Sequence, residues 1–167
     1  MRFAVGTALV LVLTAAFPPC PPEADAASQH ILGKKLLVRN PTGAEQRRTL
    51  VALGRESATD VPAIVGDPTV SGALLRVTLN GATSTGGAFL LDAAGWSASS
   101  AGFTYSGPTG SDGDPVRRVV LKRTPAGTSL LKVVIKGSVG TQPVDLVPPN
   151  PGTDAAVTLA INGGGDT

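Results

Sequence analysis

The stretch VRRVVLKR-TPAGT-SLLKVVIK, residues 116–136, constrains the fold more than any other. Two runs of eight residues, each rich in β-branched and apolar side chains, flank five residues of turn chemistry. A period of two puts successive side chains on opposite faces of a strand. Pro125 presets the φ needed at the first central position of a type I turn, and Gly127 supplies the left-handed residue that follows. Together they specify a three-residue loop closed by a glycine bulge, with Thr124 paired to Thr128. From there Leu121 faces Leu131 and Val119 faces Val133, and with Ile135 these form an apolar stripe. The hydrophobic alternation demands the same parity independently. The opposite face carries Arg118, Val120, Lys122, Leu130, Lys132, Val134 and Lys136. In this register Lys122 lies opposite Leu130, Val120 opposite Lys132, and Arg118 opposite Val134. No two cations are directly opposed, which avoids cross-strand repulsion.

A hairpin with one apolar face must bury that face against a second layer. The rest of the chain offers strands for it. KKLLVR (34–39), RRTLVALGR (47–55), ALLRVTLN (73–80), GAFLLD (87–92), GFTYS (102–106), PVDLV (143–147) and AAVTLAIN (155–162) are short, apolar and bounded by Gly, Pro, Asn, Asp or Ser. That is the strand signature. Leu75, Val77 and Leu79 alternate with Arg76, Thr78 and Asn80. Val157, Leu159 and Ile161 alternate with Thr158, Ala160 and Asn162. No window has a helical period. The expected fold is all-β: an antiparallel sandwich or Greek-key barrel of about eight to nine short strands. The longest irregular stretch, Glu56 to about Ser71, is expected to cross between sheets. No repeat or internal boundary divides the chain, so a single domain over residues 27–162 is expected, with 163–167 a flexible tail.

The first 26 residues read as a cleaved secretory signal. Met1-Arg2 is a short positive start, and Phe3 to Phe17 is an uncharged apolar run. Pro18, Pro19, Pro21 and Pro22 end that run short of the ~20 apolar residues that span a bilayer. Ala24-Asp25-Ala26 supplies the small-x-small cleavage pattern. Cys20, the sole cysteine, would leave with the signal. Phe17-Pro18-Pro19 before it does not suit lipid attachment. The mature chain would then have no disulfide, thiol nucleophile or thiolate metal site. His30, the sole histidine, would sit near the new terminus, where side chains are usually solvated. Removal of Arg2, Glu23 and Asp25 leaves thirteen basic and ten acidic residues, a net charge of +3. That is too mild to imply nucleic acid on its own.

Few residues can carry chemistry. Arg118, Lys122, Lys132 and Lys136 form a basic, aliphatic-spaced face that would attract phosphate, sulfate or uronate groups and release counterions. The same charges also suit a face that is merely kept soluble and blocked against edge pairing, and the sequence favours this plainer explanation. No aromatics interleave the cations, so stacking on nucleic-acid bases is unsupported. Asp112 and Asp114, in GSDGDP, alternate in a Gly-rich loop and could ligate calcium, although Asp-Gly is also ordinary turn chemistry. Ser129 and Lys132 match an S-x-x-K pattern, but on a strand residues three apart point to opposite faces, and no K-T-G or S-D-N partner follows. A carboxylate pair for glycoside hydrolysis would have few acids to draw on, since the mature chain has only two glutamates, Glu45 and Glu56, both in or beside polar connecting segments. Trp96 reads as a core or turn plug.

At GKKLLVRN…RRTLVALGRE, GDPTVSGALLRV, AAGW, GFTY and RRVVLK…LLKVVIKG, in that order, the chain resembles a group of uncharacterised secreted bacterial β-rich domains. The resemblance implies one copy of such a domain over most of the mature chain. It carries no activity and no binding residues, and NGGGDT ends where that group would run a few residues further. The combined expectation is an extracytoplasmic, non-catalytic module with no cofactor and no membrane span after cleavage. Its partner would be an anionic surface polysaccharide or an envelope protein. The alternatives are a purely structural or protein-partner module, and a small hydrolase using the loop aspartates.

Overall fold

The alternation of Leu75, Val77 and Leu79 with Arg76 and Thr78 becomes a strand with one buried and one exposed side. In this computed structural model, which describes residues 30–41, 44–57, 64–108 and 113–161, that strand spans Ala73–Gly81. The expected signal segment, Asp112 and the tail lie outside the described residues. In chain order the strands are β1 (Gly33–Arg39), β2 (Thr49–Glu56), β3 (Ala73–Gly81), β4 (Thr85–Leu91), β5 (Trp96–Ser99), β6 (Gly102–Ser106), β7 (Val116–Arg123), β8 (Ser129–Lys136) and β9 (Gly152–Ile161). They form two antiparallel sheets. One has six strands in the order β1-β2-β8-β7-β6-β5, and the other has three in the order β4-β3-β9. The fold is therefore the sandwich of the two expected architectures. The β2–β3 connection does cross from one sheet to the other.

The core lies between the sheets. Leu50, Leu75, Phe89, Leu91, Tyr105, Val119, Val133 and Ile135 are all at most 1% exposed. Burial of each aliphatic or aromatic side chain of this kind contributes about 1.5–3 kcal/mol. Leu75 sits between Phe89 on β4 and Leu159 on β9, which fixes the register of the smaller sheet.

Two elements depart from the sequence expectation. PVDLV (143–147) forms no strand, yet Val144 and Leu146 are each 1% exposed. Its alternation reports burial rather than ladder pairing. Pro143, Pro148 and Pro149 lack the N–H groups a ladder requires, and the backbone is held by a side chain instead: Arg48 Nη1 donates to the Val144 carbonyl across 2.8 Å. The second departure is β5, a four-residue strand with no apolar run. It exists because a tight connection returns it onto β6, pairing Ser99 with Gly102 and Trp96 with Tyr105. Gly102 has φ +140°, and a Cβ there would collide with the Leu121 carbonyl, so only glycine suits the position. One helical turn, α1 (Pro68–Ser71), also lies in the β2–β3 crossover, with the Asp67 carboxylate accepting from the Thr69 amide at 2.9 Å.

Candidate functional site

The hairpin closes as its turn residues require. Thr124 N donates to Thr128 O across 2.9 Å, and Gly127 takes φ +81°. Leu121 pairs with Leu131, Val119 with Val133, Lys122 with Leu130, Val120 with Lys132, and Arg118 with Val134. Every pairing expected from the turn is present. The inward stripe is buried at Val119, Val133 and Ile135 and half-buried at Leu121 and Leu131. Arg118, Lys122, Lys132 and Lys136 are exposed together on the outer face of the six-stranded sheet. None of the four side chains makes an ion pair with a described residue.

One irregularity was hidden in VRRVV. The ladder slips between Val116 and Arg118, so Arg117 is an extra residue in the strand. Without that bulge Val116 would share the outer face with Arg118. With it, Val116 turns inward opposite Ile135 and is fully buried, while Arg117 caps the Gly107 carbonyl at 3.1 Å. The paired arginines that break the alternation were the available signal.

The hairpin's position alters the plainer explanation of its charges. β8 is flanked by β2 and β7, and β7 by β8 and β6, so both are interior strands. Their cations do not guard a sheet edge. Outward neighbours on β2 are Thr49 beside Lys136, Val51 beside Val134 and Leu53 beside Lys132. On β6, Thr104 lies beside Val120 and Ser106 beside Arg118. The aliphatic residues between the cations are largely covered, with Val120 only 9% exposed.

Asp114 is committed elsewhere. It is 5% exposed, and its carboxylate accepts from Tyr105 Oη and from the Val116 amide, both at 2.6 Å. Burial pushes its pKa above the ordinary 3.8, against the lowering effect of those two hydrogen bonds, and Asp92 raises it further. Both oxygens are thus used inside the protein rather than offered at the surface. Among the described residues no group of three or more His, Cys, Asp or Glu side chains could hold a metal ion.

The remaining candidates are dispersed. Ser129 is buried and Lys132 exposed, on opposite faces of β8. Glu45 lies 3.7 Å from Arg48 at the surface, and Glu56 ends β2. His30 is exposed. Trp96 is a core residue, 6% exposed, with its ring centroid 5.4 Å from that of Tyr105 and its Nε1 buried without a hydrogen-bond partner. An open cleft of about 390 Å³ lies at the hairpin tip, lined by Ser99, Ser100, Phe103, Arg123 and Thr124 among others. Its lining has hydroxyls and a guanidinium but no carboxylate, imidazole or thiol. No helix among the described residues is long and apolar enough to cross a membrane.

No protein-family model, curated protein or solved structure matches the chain.

Proposed function

We propose that the chain is an extracytoplasmic, non-catalytic β-sandwich module that contacts an anionic polymer through its basic hairpin. One observation carries this reading: Arg118, Lys122, Lys132 and Lys136 are exposed on one face, and no described carboxylate neutralises them. Four cations on interior strands have neither an ion-pair partner among the described residues nor an edge to protect. Their chemistry suits phosphate, sulfate or uronate groups, whose bound counterions would be released on contact. The sequence of residues 1–26 supports export of the chain, and the resemblance to secreted bacterial β-rich domains supports the same compartment.

The test is salt elution of purified protein 27–167 from immobilised dextran sulfate, beside a plain sulfonate exchanger of equal charge density. Elution at clearly higher salt on dextran sulfate is expected, with that excess lost when Arg118, Lys122, Lys132 and Lys136 are all replaced by glutamine. Equal retention of the two proteins would remove the hairpin as the contact.

A further inference from the structure

The hairpin cations are four of the seven charges in a larger array. β2 pairs with β8, and β1 pairs with β2, in registers that carry the outward parity across to the sheet edge. Thr49, Val51, Leu53 and Arg55 of β2 face outward beside Lys136, Val134, Lys132 and Leu130. Arg39, Leu37 and Lys35 of β1 then face outward beside Thr49, Val51 and Leu53. Arg39, Lys35 and Arg55 are all exposed. Like the hairpin four, none of them makes an ion pair with a described residue.

The outer face therefore reads in rows across the strands. Arg39 and Lys136 share the first row, Arg118 stands in the second, Lys35 and Lys132 share the third, and Arg55 and Lys122 share the fourth. Each cation is separated from the next in its row by an uncharged residue: Thr49, Leu53 or Leu130. With strands ~4.8 Å apart and same-face residues ~6.7 Å apart along each strand, nearest cations are roughly 8–10 Å apart. No Asp or Glu occupies an outward position of β1, β2, β7 or β8; Glu56, the sole acid in these strands, pairs with the buried Ser129 and takes the inward parity. The cation spacing is about one Debye length at physiological salt. The seven charges thus overlap into one continuous positive field, without being close enough to exclude one another.

We infer that this whole face, with Lys35, Arg39 and Arg55 added to the hairpin four, is the contact surface for one class of ligand: a hydrated, flexible polyanion recognised by charge spacing rather than by sugar rings. The inference rests on the polymer reading above and extends it. The array covers roughly 15 Å by 20 Å, almost as wide as it is long. A chain lying along a strand meets cations roughly every 13 Å, and one lying across the strands roughly every 10 Å, so several registers bind. Among the described residues no aromatic stands on the face to stack on a sugar or base: Phe89, Trp96 and Tyr105 are buried, and the partly buried Phe103 pairs with inward Leu121. The aliphatic residues among the cations are mostly covered, only Leu37 being substantially exposed at 39%. A bilayer contact needs apolar or aromatic groups that insert, and this face presents few.

The experiment measures dextran sulfate affinity at several salt concentrations for wild type, for K35Q/R39Q/R55Q, for R118Q/K122Q/K132Q/K136Q, and for the off-face control R76Q, on the three-stranded sheet. Each lost contact lowers the log–log salt slope by about one. The inference expects a fall of about 2 to 3 for the β1–β2 triple, and little change for the control. Lysine acetylation mapped on wild-type protein supplies a second readout that needs no variant: bound dextran sulfate should protect Lys35 together with Lys122, Lys132 and Lys136. An unchanged slope for the triple with unprotected Lys35, while the hairpin variant still weakens, would overturn the extended face and leave the hairpin reading standing. Retention no stronger than on the plain exchanger would overturn both. Binding to phosphatidylglycerol vesicles with none to dextran sulfate would overturn the polymer as occupant.

Discussion

Tyr105 Oη donates to Asp114 Oδ2 across 2.6 Å inside the sandwich. The other carboxylate oxygen accepts the Val116 amide at 2.6 Å. One buried acid thus ties β6 to the loop that enters β7, beside the bulge that turns Val116 inward. Desolvation holds the Asp114 pKa above its ordinary 3.8.

That shift sets a pH dependence. A carboxyl whose folded pKa is raised binds its proton more readily when folded. Its favourable contribution is fully present below the unfolded value and is lost as pH rises through the folded value. The window therefore opens near 3.8 and extends upward. Comparison of Asp114→Asn with wild type by thermal unfolding should give a difference that favours wild type most at the acid end and shrinks as pH rises. Tyr105→Phe removes a hydrogen bond that lowers the folded pKa, so it should extend the upper end of the window to higher pH while the lower end stays near 3.8. A flat difference curve for Asp114→Asn would mean that the carboxyl titrates alike in both states.

Arg48 is the clamp on the irregular segment that replaces an expected strand. Its side chain is 14% exposed and reaches the Val144 carbonyl, with Asn40 Oδ1 at 2.8 Å from Nε and Asp145 at 3.4 Å from Nη1. Arg48→Met keeps much of the stem but leaves a part-buried carbonyl without its donor. Hydrogen bonds from charged groups contribute about 1.5–3 kcal/mol, and a loss of that order is expected in urea unfolding. Faster amide exchange should concentrate at residues 144–147. Arg48→Lys should fall between the two, because it loses the fork that reaches two acceptors.

The residues that were legible in advance are those whose local chemistry agrees with the global fold. TPAGT specifies a loop, VRRVVLKR and SLLKVVIK specify a parity, and the two demand the same pairing. The sandwich followed because each strand had a face to bury. PVDLV misled because alternation encodes which side chains are buried, not where the backbone hydrogen bonds go, and a distant arginine supplies the bond. β5 was invisible because WSAS owes its strand to Gly102 and to the Trp96–Tyr105 contact, not to its own propensity. The hairpin cations could be placed on one face from the sequence alone. Their junction with Lys35, Arg39 and Arg55 could not, since it depends on β2 inserting between β1 and β8, a long-range pairing that no local pattern states.

Gly127 tests the turn itself. Its φ of +81° lies where an L side chain is strained, by about 1–2 kcal/mol. Gly127→Ala should lower unfolding stability by about 1 kcal/mol, while the register and the outward cations persist. Dextran sulfate affinity of the folded variant should therefore match wild type. A folded Gly127→Ala protein with lost affinity would point to the loop, and not the sheet face, as the contact.

The face carries an electrostatic cost when unoccupied. Seven exposed cations with no described carboxylate among them repel one another more in the folded sheet than in an expanded chain, where they spread apart. Salt screens that repulsion over about 10 Å at 0.1 M, close to the spacing of the array. Thermal stability of the unbound protein should therefore rise as sodium chloride increases from very low concentration to about 0.15 M. The rise should shrink in R118Q/K122Q/K132Q/K136Q, and shrink again when K35Q/R39Q/R55Q is added. Neutralising the face should also raise stability at low salt, the opposite of what loss of a favourable contact would do. Dextran sulfate should stabilise wild type most where salt stabilises it least, because polymer and screening ions relieve the same repulsion. A melting temperature that ignores salt in wild type and variants alike would mean that the seven charges are too well solvated to feel one another.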